Sequence, residues 1–413
     1  MLGAIEFGAG MKTATPFRLT LLIPGGLALL AGLDSALLLL GLPAPLTTNR
    51  LADIHGPLMV FAFLGTLIAL ERAVAHGAWW AYLTPAALGV GGLAALSPLP
   101  LLVAQGLIVA GFGLQVAIYR SVWRRHQQIY LAIQTLGAAS ALGGALLWLA
   151  DVPVPRLVPW MAAYLILTIA GERVELSRLA RTSQRPEQHA FWIALVIFAA
   201  PALALISAQW GQIVLGLGLL GLVAWLWTHD IARGTIRSRG LPRFSAACLL
   251  AGYGWLAGAA ALWILRAPIL EGRIYDATLH SVFLGFVMSM IFAHAAIILP
   301  AVIRKPLPYR AVFWVPAALL HASLILRVLV GDARDIAWAV SWGGAVNIAA
   351  VLLFIGCAVF SSATASRAKP GGAPSAASSG GASPLKAGPG STPGADNTGG
   401  TPPAAIRLAK ESK

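Results

Sequence analysis

Ionisable side chains inside long apolar runs are where chemistry is to be sought in this sequence, because such groups are costly to bury and are kept where they act. Of the eight histidines, His76, His126, His189 and His229 fall in polar connections, where solvent or headgroup contact accounts for them. His55, His280, His294 and His321 lie inside apolar segments. His55 stands in Asp53-Ile54-His55-Gly56-Pro57-Leu58-Met59 and His280 in Asp276-Ala277-Thr278-Leu279-His280, each just inside the start of its segment. In helices that run the same way, the two imidazoles come to similar depth. Two neutral imidazoles facing each other across a bundle form the ligand set of a six-coordinate heme iron. Gly56 beside His55 would let a flat macrocycle approach the backbone, and Asp34 could hydrogen-bond the free nitrogen of His55 and raise its basicity. The same positions also suit imidazoles that bond water or a loop carbonyl, with Asp34 paired to a neighbouring Ser or Tyr hydroxyl.

A second constellation lies at the far ends of related segments. Leu67-Ile68-Ala69-Leu70-Glu71-Arg72 rhymes with Thr168-Ile169-Ala170-Gly171-Glu172-Arg173, and more weakly with Met290-Ile291-Phe292-Ala293-His294-Ala295. If these segments surround an axis, Glu71, Glu172 and His294 converge at one depth, with Glu175 a turn below and His321 near enough to join. Such a set could hold a non-heme metal or admit protons. The alternative is that each glutamate pairs with an arginine at its helix end; since neighbours on a helix point about 100° apart, that requires a partner from another helix or an arginine that reaches around.

These residues must be positioned by helices in a bilayer. The chain is 58% hydrophobic and 11% charged, far from the values of about half and a quarter in soluble domains. A bilayer core needs about twenty apolar residues per helix. Such runs fall near 19–42, 54–75, 79–96, 101–119, 129–150, 157–176, 191–208, 213–227, 246–265, 277–300, 313–330 and 336–360. The expected fold is therefore an all-α membrane protein of about twelve transmembrane helices over residues 19–360. A cytoplasmic N-terminus, 1–18, precedes it and a disordered cytoplasmic tail, 361–413, rich in Gly, Pro, Ser and Ala, follows. The net charge of +14 is clustered in alternate connections, such as Arg120, Arg124 and Arg125 or Arg233, Arg237, Arg239 and Arg243. This is a topology signal that puts both termini inside, with the lipid bilayer and no nucleic acid as partner. Cys248 and Cys357 sit in apolar runs without metal or disulfide spacing. A Gly/Ala/Leu-rich helix precedes each of the second, sixth and tenth spans, which suggests three pseudo-repeats of four helices.

The run His55-Gly56-Pro57-Leu58-Met59-Val60-Phe61 resembles the second helix of heme-copper oxidase subunit I, whose twelve helices in three arcs of four share the expected architecture. The segments from His55 to Arg72 and from Leu279-His280-Ser281-Val282-Phe283-Leu284-Gly285-Phe286 through His294 resemble still more the NnrS-type heme- and copper-containing membrane proteins of the bacterial nitric-oxide response. That resemblance implies a bacterial inner-membrane protein with heme b between His55 and His280. It further implies electron-transfer or nitric-oxide-related chemistry and a quinone or cytochrome as electron donor. The usual copper-B histidines are missing: the sixth span carries Glu172 and Tyr164, the seventh has no histidine, and His280 is followed by Ser281-Val282. Oxygen reduction by the oxidase mechanism is thus not expected, while Glu71, Glu172, His294 and His321 leave a second, non-heme metal possible. A proton-coupled transporter that uses the intramembrane His, Glu and Asp is the other function class. No Walker, Rossmann or CxxCH motif is present, so any chemistry lies within the bundle.

Overall fold

A computed structural model describes residues 15–178 and 185–367. The expected tail, apart from its first residues, and most of the expected N-terminal segment fall outside the described residues. Twelve helices are long and apolar enough to cross a membrane. They are α1 Pro16–Leu39, α2 His55–His76, α3 Trp79–Leu96, α4 Leu101–Trp123, α5 Ile129–Leu149 and α6 Val154–Arg178. The second half comprises α7 Pro186–Ile206, α8 Ala208–His229, α9 Leu241–Arg266, α10 Gly272–Val302, α11 Ala311–Asp332 and α12 Ala337–Ala365. No strand occurs among the described residues. The chain is an all-α, multi-pass membrane protein.

Only helices satisfy every backbone group within a segment, which is why apolar runs of this length fold so in lipid. Their outer faces carry large side chains that water would not tolerate in such number, among them Ile206 at 87% and Leu265 at 75% exposure. Exposed tryptophans such as Trp79, Trp210, Trp338 and Trp342 stand near helix ends, where an amphipathic ring meets the headgroup level. Several helices outrun their apolar stretches. The last continues to Arg367, so the expected boundary at 361 is too early: helical hydrogen bonding persists through the polar turn Ser361–Arg367, while hydropathy reports only the part suited to hydrocarbon.

Small residues allow the helices to pack closely. A Cβ on Gly137 of α5 would stand 3.0 Å from the Tyr164 carbonyl of α6, and one on Gly211 of α8 would stand 2.3 Å from Ala204 Cα of α7. Phe61, Phe112 and Tyr164 fill the centre, with ring centroids 5.3 Å apart at each edge-to-face step. Helices α2, α6 and α10 touch one another.

Helix α2 begins abruptly for a local reason. Pro57 has no N–H to bond the Asp53 carbonyl, and its ring disfavours helix there. A short helix, Asn49–Asp53, therefore ends at Ile54 (φ −101°, ψ 10°), and the chain restarts at His55. Just after each cavity-facing histidine the winding loosens to π form, over Leu58–Leu64 in α2 and Ser281–Met288 in α10. A third π segment, Leu326–Asp332, ends α11. Helix α6 is α-helical throughout Val154–Arg178. The pseudo-repeat expected of α2, α6 and α10 is thus matched in this detail by α2 and α10 alone.

Candidate functional site

His55 and His280 line one cavity of about 440 Å³ between α1, α2, α6, α10, α11 and α12, within the usual range for a small-molecule or cofactor site of about 300–1,000 Å³. Their first ring nitrogens are both held by main-chain carbonyls. His55 Nδ1 lies 3.0 Å from Gly32 O, and His280 Nδ1 lies 2.8 Å from Asp276 O, one turn earlier on its own helix. A ring N–H donated to a carbonyl fixes the tautomer and leaves Nε2 with its lone pair, the state an imidazole needs to ligate a metal. Met59, Phe63, Phe283 and Leu284 supply apolar walls.

Two expectations change here. Asp34 does not hold His55: its carboxylate accepts from the Leu46 N–H, at 3.3 Å to each oxygen, and pins the loop after α1 instead. The Gly32 carbonyl, two residues earlier on α1, takes the role assigned to Asp34. Gly56 lines the cavity, but it also serves helix packing, since a Cβ there would lie 3.3 Å from Val154 Cγ1 of α6.

The other anchor, around His280, holds residues that the sequence reading passed over. Asp276 Oδ1 is 3.2 Å from His280 Nδ1. The same carboxylate accepts two hydrogen bonds of 2.8 Å from Arg327 Nε and Nη2 of α11. Arg327 is buried, 7% exposed, and lines the cavity. This bidentate clamp fixes α10 against α11 at the depth of His280. The spacing of Asp276 and His280, four apart on one helix, was visible in the sequence, as was an arginine inside the eleventh apolar run.

At the other end of α2, α6 and α10 a second cavity, of about 300 Å³, is lined by Glu71, Glu172 and His294. The three expected residues are brought round one space but not into one ligand set. Arg72 bonds both Glu71 and Glu172, so each carboxylate is engaged by the same guanidinium. His294 Nδ1 lies 2.8 Å from Met290 O and Nε2 lies 3.1 Å from Arg173 Nη1, which uses both ring nitrogens. His321 lies apart, accepting from Trp255 Nε1 at 3.1 Å, with Ser289 Oγ 3.4 Å from its Nε2. Among the described residues no group of three or more His, Cys, Asp or Glu could hold a metal ion. Where the sequence suggested a second metal, Glu71 and Glu172 are thus engaged by Arg72, His294 by Arg173, and His321 by Trp255 and Ser289.

Arg173 anchors a deeper network. Its Nε and Nη2 bond Asp230 Oδ2 and Oδ1 at 2.6 and 2.7 Å, and Asp230 also accepts from Tyr253 OH at 2.9 Å and the Ala232 N–H at 2.7 Å. Four donors converge on one carboxylate, which joins α6, α9 and the end of α8 beside His294.

Twelve membrane-length helices with two cavities between them, one lined by His55 and His280, define a polytopic membrane protein. A family described as a domain of unknown function, DUF8744, matches residues 18–363, and the chain belongs to that family. No curated protein matches the sequence.

Proposed function

We propose that this chain is a membrane heme protein that holds one b-type heme between His55 and His280 and serves electron transfer or nitric-oxide-related chemistry. The observation that carries the proposal is the pair of imidazoles lining one cavity of about 440 Å³, each with Nδ1 committed to a main-chain carbonyl. The donor set fits the group: both lone pairs are neutral nitrogen, and aromatic and aliphatic side chains supply the flat walls. The resemblance of the His55–Arg72 and Leu279–His294 segments to NnrS-type proteins supports the same reading. Bound heme b would supply a one-electron Fe(III)/Fe(II) couple and, on release of one imidazole, a site for a diatomic gas.

The chain's own residues have distinct tasks in this reading. His55 and His280 bind, while the Gly32 and Asp276 carbonyls orient them. Asp276 places negative charge against His280 and strengthens it as a donor, and Arg327 keeps that carboxylate in place. Met59, Phe63, Phe283 and Leu284 exclude water. The arginine distribution supports both termini being cytoplasmic, which puts the His55 end of α2 toward the outer face, and the resemblance to NnrS-type proteins supports a bacterial inner-membrane location.

A proton-coupled transporter is the second reading, favoured by the buried charge at Arg173 and Asp230, whose side chains are 3% and 1% exposed. An optical spectrum separates the two. Protein purified from heme-sufficient cells should show a reduced-minus-oxidised b-type signal that is lost in both His55→Ala and His280→Ala. A folded, colourless wild-type preparation refutes the heme.

A further inference from the structure

Besides the His55–His280 cavity, the bundle holds a second one of about 300 Å³ whose walls are almost wholly apolar and whose polar groups gather at one end. We infer that this cavity is a binding site for a lipid-soluble quinol, with the ring hydroxyls toward Glu71, Glu172 and His294 and the tail toward the bilayer. The inference rests on the heme reading for the choice of quinol over other amphiphiles.

Access is from lipid. The wall contributed by α12 includes Ile355 and Val359, which are 36% and 64% exposed on the apolar surface of the bundle. An occupant that enters there is lipid-soluble, and an apolar body suits Leu67, Ile291 and Phe354.

The polar end selects the head. Glu71 and Glu172 share one guanidinium, that of Arg72, so the group holds more acceptor capacity than donor capacity when both carboxylates are ionised. A carboxylate or phosphate head meets repulsion there, whereas hydroxyl donors find acceptors. Arg173 holds the His294 ring in place at 3.1 Å.

Position supplies the rest. Phe63, Leu64, Met288 and Val351 line both cavities, so the two spaces share a wall of side chains, across which a quinol in one would face a heme in the other. The occupant most suited to proton acceptors on one side and an electron acceptor on the other releases both together. Oxidation of one quinol to quinone breaks two O–H bonds and releases two protons and two electrons: Glu71 and Glu172 would take the protons and pass them on to water, and the electrons would go one at a time to two one-electron acceptors, the bound heme of this copy and, after the half-oxidised ring leaves, that of a second copy.

The test uses the full chain in phosphatidylcholine nanodiscs, with decylubiquinol as probe and two readouts: saturable binding of the probe, and anaerobic heme reduction. Wild type should bind and reduce two hemes per quinol. Ala295→Phe, which fills the cavity, and Ile355→Trp, which narrows its lipid side, should weaken binding at least about tenfold, or about 1.4 kcal/mol, with the heme spectrum unchanged. The second substitution lies at an exposed position and keeps the test open if the first does not fold. His55→Ala should lose the heme signal and retain binding, so the heme and the quinol site fail separately. Unchanged affinity in Ile355→Trp and Ala295→Phe, or no saturable binding to wild type, overturns the proposal. A colourless wild type that still binds the probe overturns the heme reading and leaves the binding site.

Discussion

Removing Arg173 with methionine tests whether the buried charge network organises the inner end of the bundle. In the wild type, Asp230 receives four hydrogen bonds, two of them from Arg173 at 2.6 and 2.7 Å. Arg173→Met leaves the carboxylate with Tyr253 and the Ala232 N–H only, and leaves its charge without a counter-ion where the side chain is 1% exposed. Breaking a buried pair from one side costs about 3–5 kcal/mol, a hundredfold or more in the folded-to-unfolded ratio. Asp230→Asn strands the guanidinium instead and should cost a similar amount. The double substitution buries no charge, and its loss should fall to the hydrogen bonds alone, about 1–2 kcal/mol. The cycle therefore predicts a coupling of at least about 2 kcal/mol, read from reversible denaturant unfolding in mixed micelles followed by tryptophan fluorescence. Single variants that each cost under about 1 kcal/mol, or a double variant equal to the sum of the singles, would refute the assignment of this pair as a desolvated, mutually dependent one.

Other expectations follow from particular contacts. Asp34→Asn should leave a b-type spectrum in place, because Gly32 O and not Asp34 holds His55; a spectrum lost along with that carboxylate would show that Asp34 supports His55 after all. Asp276→Asn should raise the heme midpoint potential while both imidazoles stay bound, since it removes the negative charge 3.2 Å from His280 Nδ1; redox titration against wild type checks the sign. Gly211→Ala forces a methyl toward Ala204 Cα, which stands 2.3 Å from the ideal position, and should destabilise the fold by about 1–3 kcal/mol, measurable as a lowered thermal midpoint. In a cysteine-free background, a cysteine at Ser238 should react with an impermeant maleimide from the cytoplasmic side and one at Glu271 from the opposite side. The reverse pattern would invert the topology inferred from the arginines.

The spans and the paired histidines were legible because each leaves a local mark: an apolar run long enough for a bilayer, or an imidazole just inside one. The Gly32 carbonyl was not, since a main-chain acceptor contributed by another helix has no side-chain signature; a carboxylate nearby in sequence drew attention instead. Asp276 and Arg327 were visible as residues, one four positions before His280 and the other inside the eleventh apolar run, but nothing in the sequence pairs them. Their meaning depends on α10 and α11 lying side by side, which no periodicity specifies. Glu71, Glu172 and His294 were rightly gathered round one space by the rhyme between their segments. What that rhyme could not show is that Arg72 and Arg173 come with them and take the places a metal would have used. The π winding after His55 and His280 was equally hidden, because Leu58–Leu64 and Ser281–Met288 have the composition of any transmembrane helix.

That winding has a consequence for how such a protein can change. A π turn arises when one residue is inserted into an α-helix and the chain absorbs it by widening a turn. On α2 and α10 the widened turns lie between the histidine at one end and the Glu71 or His294 position at the other. Deleting one residue from either segment would restore α winding and swing one end of the helix by about 100° relative to the other. The two pockets are therefore phased by single insertions: one can keep its register against neighbouring helices while the other is re-aimed, as two cams keyed at different angles on a common shaft.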